Sequence, residues 1–357
     1  RKTLYPELQR WFGIAPPAQE PNDRRPEAEL LAYTPELALK ASSQPVHALA
    51  WEMAKKHLQS ARTALASLDT AGKVSWLRRE WATRLGDVEP NTTPKATQPR
   101  VQKLDNLEAQ ALTIEVEPGI AVPLLFLRPS SGTAKRGVVV ALSHGGKDGM
   151  WREHHKEIVA LLAKGIAVCL PDVRGTGESA PDLRRGPSST EVTLGATELM
   201  LGNSLLAGRL KDLRTVLAYL RTRPDVDASR IALWGDSEAP VNAQRPVLDE
   251  SPGWQIGPDL QHEADPMGGM LVLFGALYEG NVRAVATRKG LSSLESILAD
   301  PFPYVPAHVI VPDMLSAGDL SDIAASLPDL PMRLESPVDG RNIPVPQSAI
   351  AGPSLVE

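Results

Sequence analysis

The chain has one cysteine, Cys169, so no intrachain disulfide can form. It lies inside the apolar run GIAVCL, where a buried, inert thiol is expected rather than a reactive one. There is no paired-cysteine motif and no HExxH, the common sequence signatures of a bound metal, and no cofactor is expected. No run approaches the ~18 apolar residues of a membrane span. Neither sign of charge dominates: 38 Lys and Arg face 43 Asp and Glu, for a formal net charge of −5. That balance gives no reason to expect nucleic acid or an anionic membrane as partner. The chain starts at Arg1 without a signal-peptide pattern, and it reads as a piece of a longer product.

What is present is an ordinary globular composition over 357 residues, 42% hydrophobic and 23% charged. This suffices for two domains, or for one large α/β domain with an appendage. LYPELQRWFG predicts a short helix with Leu8, Trp11 and Phe12 on one face, stopped by Gly13. A proline-bearing linker follows. VHALAWEMAKKHLQSARTAL and KVSWLRREWATRL predict two helices, and a second linker near residue 90 suggests the main boundary. The division expected is 1–42 terminal helix and linker, 43–90 helical segment, 91–357 principal domain.

From about residue 105 the pattern changes. ALTIEVEPGIAVPLLFL alternates on both sides of Pro118-Gly119, as a hairpin does. Pro123 argues for an edge position of its second strand. GVVVALS, IAVCLPDV, RIALWG, VRAVAT and PMRLES read as buried strands. HHKEIVALLAKG reads as a helix that opens with surface residues His154 and His155. A long helix within 198–222 carries leucines at 206, 210, 213, 217 and 220. Strands alternating with helices predict an α/β fold, a mostly parallel sheet with helices on both faces.

The motif that carries chemistry is RIALWGDSEA. A strand ending in G-x-S-x-small is the nucleophile-elbow pattern. Gly235 and Ala239 keep the turn uncrowded, Ser237 can project above the sheet, and the Glu238 N–H can face a developing oxyanion. LSHGGKDGMW, after strand 137–143, can bring a Gly145 or Gly146 N–H to the same point. His144 there reads as a loop brace, and Trp151 as core or as the wall of a sugar pocket. PDVRGTGES suits a loop bordering the site. The polar stretch 244–266 interrupts the helix that should start at the serine, and it should overhang the site.

HGG, DVRGTGES, RPDVDASRIALWGDSEA and SPVDGRNIPV stand in the order shown by the acetyl xylan esterase and dienelactone hydrolase branch of the α/β-hydrolases, which residues 105–346 resemble. The resemblance implies Ser237 as nucleophile, Asp339 as triad acid and a histidine after a final strand. No histidine follows His308, and only 18 residues follow Asp339. His262, in the insertion, and His308 are the remaining candidates for the base. Residues 1–42 resemble the end of another such hydrolase, which implies a tandem protein and association with a second unit or chain. Family habit implies export, to the periplasm or outside the cell.

Two readings stay open. In one, the chain is a serine ester hydrolase that removes acetyl groups from polysaccharide, with an acylated carbohydrate or small ester as substrate. In the other, it is a silent α/β-hydrolase domain that binds carbohydrate or supports an active unit. Under the second, Ser237 is a relic and Asp339 only forms a turn. A peptidase of the same fold ranks last, because 43–90 is too short for a propeller.

Overall fold

The computed structural model describes residues 3–19, 22, 24–41, 44–130, 134–180, 189–243, 262–301 and 303–346. Its internal contacts divide the chain into two compact units, residues 1–46 and 47–357. The first carries helices α1 (Tyr5–Phe12), α2 (Glu27–Leu30) and α3 (Pro35–Lys40). Neither α1 nor α2 buries a residue. Gly13 ends α1 in the left-handed region, at φ 67°, which glycine reaches without a Cβ penalty.

The second unit is built on an eight-stranded sheet, counted among the described residues. Its strands are β1 (Arg100–Leu104), β2 (Leu107–Glu117), β3 (Ile120–Pro129), β4 (Arg136–Leu142), β5 (Ala167–Pro171), β6 (Val226–Asp236), β7 (Ala284–Arg288) and β8 (Met332–Glu335). Their order is β1-β2-β3-β5-β4-β6-β7-β8. β1, β2 and β3 are antiparallel, as are β3 and β5; from β5 to β8 the sheet is parallel. Gly119 turns the β2–β3 hairpin at φ 81°. β3 is not an edge strand, contrary to the expectation from Pro123, since it pairs with both β2 and β5. Pro123 sits just past the last β3–β5 pair, Leu124 with Pro171, so its missing N–H costs little there.

The helices of this unit are α4 (Val46–Ala66), α5 (Thr70–Leu85), α6 (Gly146–Ala163), α7 (Ser189–Met200), α8 (Leu205–Thr222), α9 (Met267–Glu279), α10 (Glu295–Leu298) and α11 (Leu320–Ala325). All five leucines of the 206–220 stripe are fully buried on α8. α9 is apolar all round because it touches β6 and β7 on one side and α5, α8 and α11 on others; a helix enclosed this way has no polar face to keep. α4 and α5 do not form a core of their own. Leu58, Leu77 and Trp81 join the cluster that contains Leu213, Leu217 and Phe274. Trp81 meets Phe274 edge-on, centroids 4.6 Å apart at 72°. The opposite face of the sheet is packed by α6, through Met150, Ile158 and Leu162 against Ala141, Val168 and Leu170.

Candidate active site

β6 delivers the serine. The Ser237 N–H donates to the Arg288 carbonyl at 3.2 Å, which continues the β6–β7 ladder one residue past Asp236. Side chains alternate along such a strand. Trp234 and Asp236 therefore face α6, and Gly235 faces α9. The contacts agree: the His154 ring packs on Trp234 at 4.9 Å, whereas a Cβ on Gly235 would overlap the Gly268 carbonyl. Gly268 is equally confined, since its own Cβ would lie 2.6 Å from the Asp236 carbonyl oxygen. The chain thus leaves the sheet at Ser237, makes a detour, and returns to start α9 against the same strand end. No helix starts at Ser237. Of the insertion 244–266, residues 244–261 lie outside the described residues.

Two of the N–H groups expected to hold an oxyanion, those of Glu238 and Gly146, are already engaged. The Glu238 N–H points to Asp265 Oδ2 at 3.4 Å. The Glu238 carboxylate lies over Gly145 and Gly149, where a Cβ on either glycine would overlap it. It accepts from Ser143 Oγ at 2.6 Å and from Arg152 at 2.9 Å. The Gly146 N–H donates to the Ser143 carbonyl at 3.1 Å. Asp172 and Gly177 crowd Gly146, which adopts φ 65°. Asp172 accepts from Lys147 N at 2.7 Å and from Glu178 N at 2.9 Å, fastening the two glycine loops together. Arg174 ties the second loop to α8 through Asp212, at 2.6 Å. Burial pushes the Asp265 carboxyl up, opposed in part by His144, and its Oδ1 is enclosed without a partner among the described residues.

The candidate bases are not brought to Ser237 in working form. His262 is exposed. Its backbone is held by Asn242, and its ring has no hydrogen bond among the described residues. His308 is buried, stacked on His144 at 5.1 Å, and both its ring nitrogens lack partners among the described residues. Burial, with Arg209 and His144 nearby, pushes its pKa down to about 2. Asp339 Oδ1 accepts from Arg341 N at 2.8 Å and from Ile343 N at 3.0 Å, the turn-forming use of an aspartate. Its loop does reach the serine loop, because Asn342 donates to the Pro240 carbonyl at 2.8 Å. Trp151 is 42% exposed and leans on His155, so it is not a core residue.

His154 corrects the surface reading of that position, because it is 6% exposed. Met150, His154, Ile158 and Leu162 form the buried stripe of α6, and that four-residue spacing was visible in the sequence. The helix kinks at His154, φ −126°. Its Nε2 lies 2.8 Å from Asp236 Oδ2, off the direction of a hydrogen bond. Burial pushes Asp236 up to about 7, against Arg288 and Lys289; burial and Arg288 push His154 down. A polar cavity of about 290 Å³ opens beside this pair and reaches Ser237 and Glu238. Among the described residues no hydrogen bond joins His154 to Ser237; the His154 Nε2 lies against Asp236 instead. Among the described residues no group of His, Cys, Asp and Glu is arranged to hold a metal ion.

No protein-family model matches the chain, and no curated protein matches its sequence. Solved structures do. A Bacteroides fragilis NCTC 9343 protein, provisionally called an acetyl xylan esterase, superposes with TM-score 0.61 at 14% identity, over 84% of this chain and 76% of its own. More distant likenesses are acetyl xylan esterase 1 of Thermoanaerobacterium sp. JW/SL YS485 (TM-score 0.47, 17% identity, 72% and 76% covered) and a glucuronoyl esterase of Solibacter usitatus (0.49, 14%, 74% and 73%). At such identity the likeness concerns the backbone, and the second unit has the α/β-hydrolase fold found in esterases.

Proposed function

We propose that this chain is an esterase-type α/β-hydrolase domain that does not carry out acyl transfer at Ser237. It acts in acylated-carbohydrate chemistry as a supporting unit beside an active hydrolase. One observation carries this reading: the Glu238 N–H, expected to stabilise an oxyanion, faces the Asp265 carboxyl, while the Glu238 carboxylate covers Gly145 and Gly149. Serine attack on an ester places negative charge on the carbonyl oxygen. Losing one donor from an oxyanion hole costs about 10²–10³ in kcat, and a carboxylate at the same place adds repulsion. Among the described residues Ser237 Oγ makes no hydrogen bond to a base, and a histidine pushed down to about 2 cannot accept a proton at neutral pH. The test is labelling with a serine-directed fluorophosphonate. This reading expects Ser237 to stay unlabelled, and stoichiometric labelling lost in Ser237→Ala would overturn it.

The elbow packing favours a second reading. Gly235 against Gly268 keeps the strand-to-helix approach that a nucleophile elbow needs. On that reading Ser237 deacetylates polysaccharide once the two carboxyl groups have moved aside. Labelling of Ser237 that appears only with a carbohydrate ligand present would support it.

A further inference from the structure

β1 is one edge of the sheet. It pairs with β2, and among the described residues no strand pairs with its other side. All five of its residues are exposed, the large apolar side chains Val101 and Leu104 included. The pairing register fixes which backbone groups of β1 are free. Leu104 lies opposite Leu107 across the two-residue turn Asp105-Asn106, so these residues exchange hydrogen bonds. Gln102 with Ala109 and Arg100 with Ala111 then do the same, because such pairs alternate along an antiparallel ladder. The N–H and C=O groups of Val101 and Lys103 therefore point away from β2, where an added strand would bond them.

The edge is also basic. Arg100 and Lys103 stand on opposite faces of β1, and neither forms an ion pair among the described residues. Lys103 is near Glu108, but that carboxylate is already held by Arg128 at 2.9 Å and by Gln110 at 2.6 Å. β1 itself carries no acidic residue. Charge on an edge strand guards against pairing with a second copy. Two β1 strands paired antiparallel about Gln102 would set both Lys103 side chains diagonally on one face, where like charges repel. The same charges suit an acidic strand, since opposite charges facing each other across a strand pair attract.

We infer that the free edge of β1 takes up an extended acidic segment of a partner protein as an added strand. Antiparallel pairing continues that of β1 with β2 and of β2 with β3. The backbone of the segment bonds to Val101 and Lys103 and supplies the affinity, as strand addition does at other sheet edges. Its side chains opposite Lys103 and Arg100 are acidic, and those opposite Leu104 and Val101 are apolar. Read from its amino end, the segment runs apolar, acidic, any residue, apolar, acidic. The inference is independent of whether Ser237 reacts.

A synthetic peptide of about nine residues, roughly 30 Å when extended, tests it. It carries Val-Glu-Thr-Val-Glu at its centre, and a control carries Lys in place of each Glu. Fluorescence anisotropy of the labelled peptides should show the acidic one binding about tenfold tighter, the effect of two cross-strand contacts turned from attraction to repulsion. The preference should shrink with added salt. Arg100→Glu with Lys103→Glu should reverse it. Val101→Pro removes a donor that faces away from β2, so it should abolish binding of both peptides and leave the circular dichroism spectrum and Tm unchanged. Equal binding of the two peptides, no binding of either, or binding that survives Val101→Pro would overturn the inference. So would sedimentation showing self-association that Val101→Pro abolishes, because the edge would then pair two copies of this chain.

Discussion

At the scale of single residues, the site is governed by carboxyl groups placed where burial disfavours their charge. Asp236 is the clearest, raised from an ordinary 3.8 to about 7. An acid raised on folding stabilises the fold while it stays protonated; that contribution is full below the unfolded value and is lost as pH rises through about 7. Asp236→Asn should therefore gain stability relative to the unsubstituted chain between about pH 5 and about pH 8. Urea unfolding at the two pH values reads the difference, and an equal offset at both would contradict the burial argument. Gly235 makes a separate claim. With no room for a Cβ against the Gly268 carbonyl, Gly235→Ala should cost about 1–3 kcal/mol in urea unfolding. A neutral change would mean that α9 is not pressed against the strand end as described. Gly235 could be picked out in the sequence because the elbow demands a small residue there. Asp265 could not, since its role depends on where a 28-residue detour returns the chain.

At the scale of elements, the strands were readable and their neighbours less so. GVVVALS and RIALWG announce β4 and β6 because an inner strand of a parallel sheet presents an unbroken apolar run. Pro123 misled because a proline is tolerated in an internal strand where the pairing stops. Residues 43–90 read as a separate segment because two amphipathic helices look the same whether they pack on each other or on a sheet. The structure puts Leu77 and Trp81 into the sheet's main core. Trp81→Ala should accordingly cost about 3–5 kcal/mol and lower the stability of the whole second unit in one transition, followed by circular dichroism and by tryptophan fluorescence. A separate early transition, with the sheet unaffected, would show that these helices fold on their own.

At the scale of the second unit as a whole, the fold and the chemistry point in different directions. The second unit has the α/β-hydrolase fold, and four sequence motifs in order were enough to see it. The state of the site was not legible, because it rests on contacts between distant residues: Glu238 with Ser143 and Arg152, and Asp265 with the Glu238 N–H. On the proposed reading the frame is kept for packing, since Gly235 and Gly268 serve the core whether or not Ser237 reacts. The most direct test is hydrolysis of p-nitrophenyl acetate by this chain and by Ser237→Ala. The account predicts rates that agree within about twofold, a difference of about 0.4 kcal/mol in barrier. A loss of most of the rate in Ser237→Ala would contradict it and establish Ser237 as a working nucleophile.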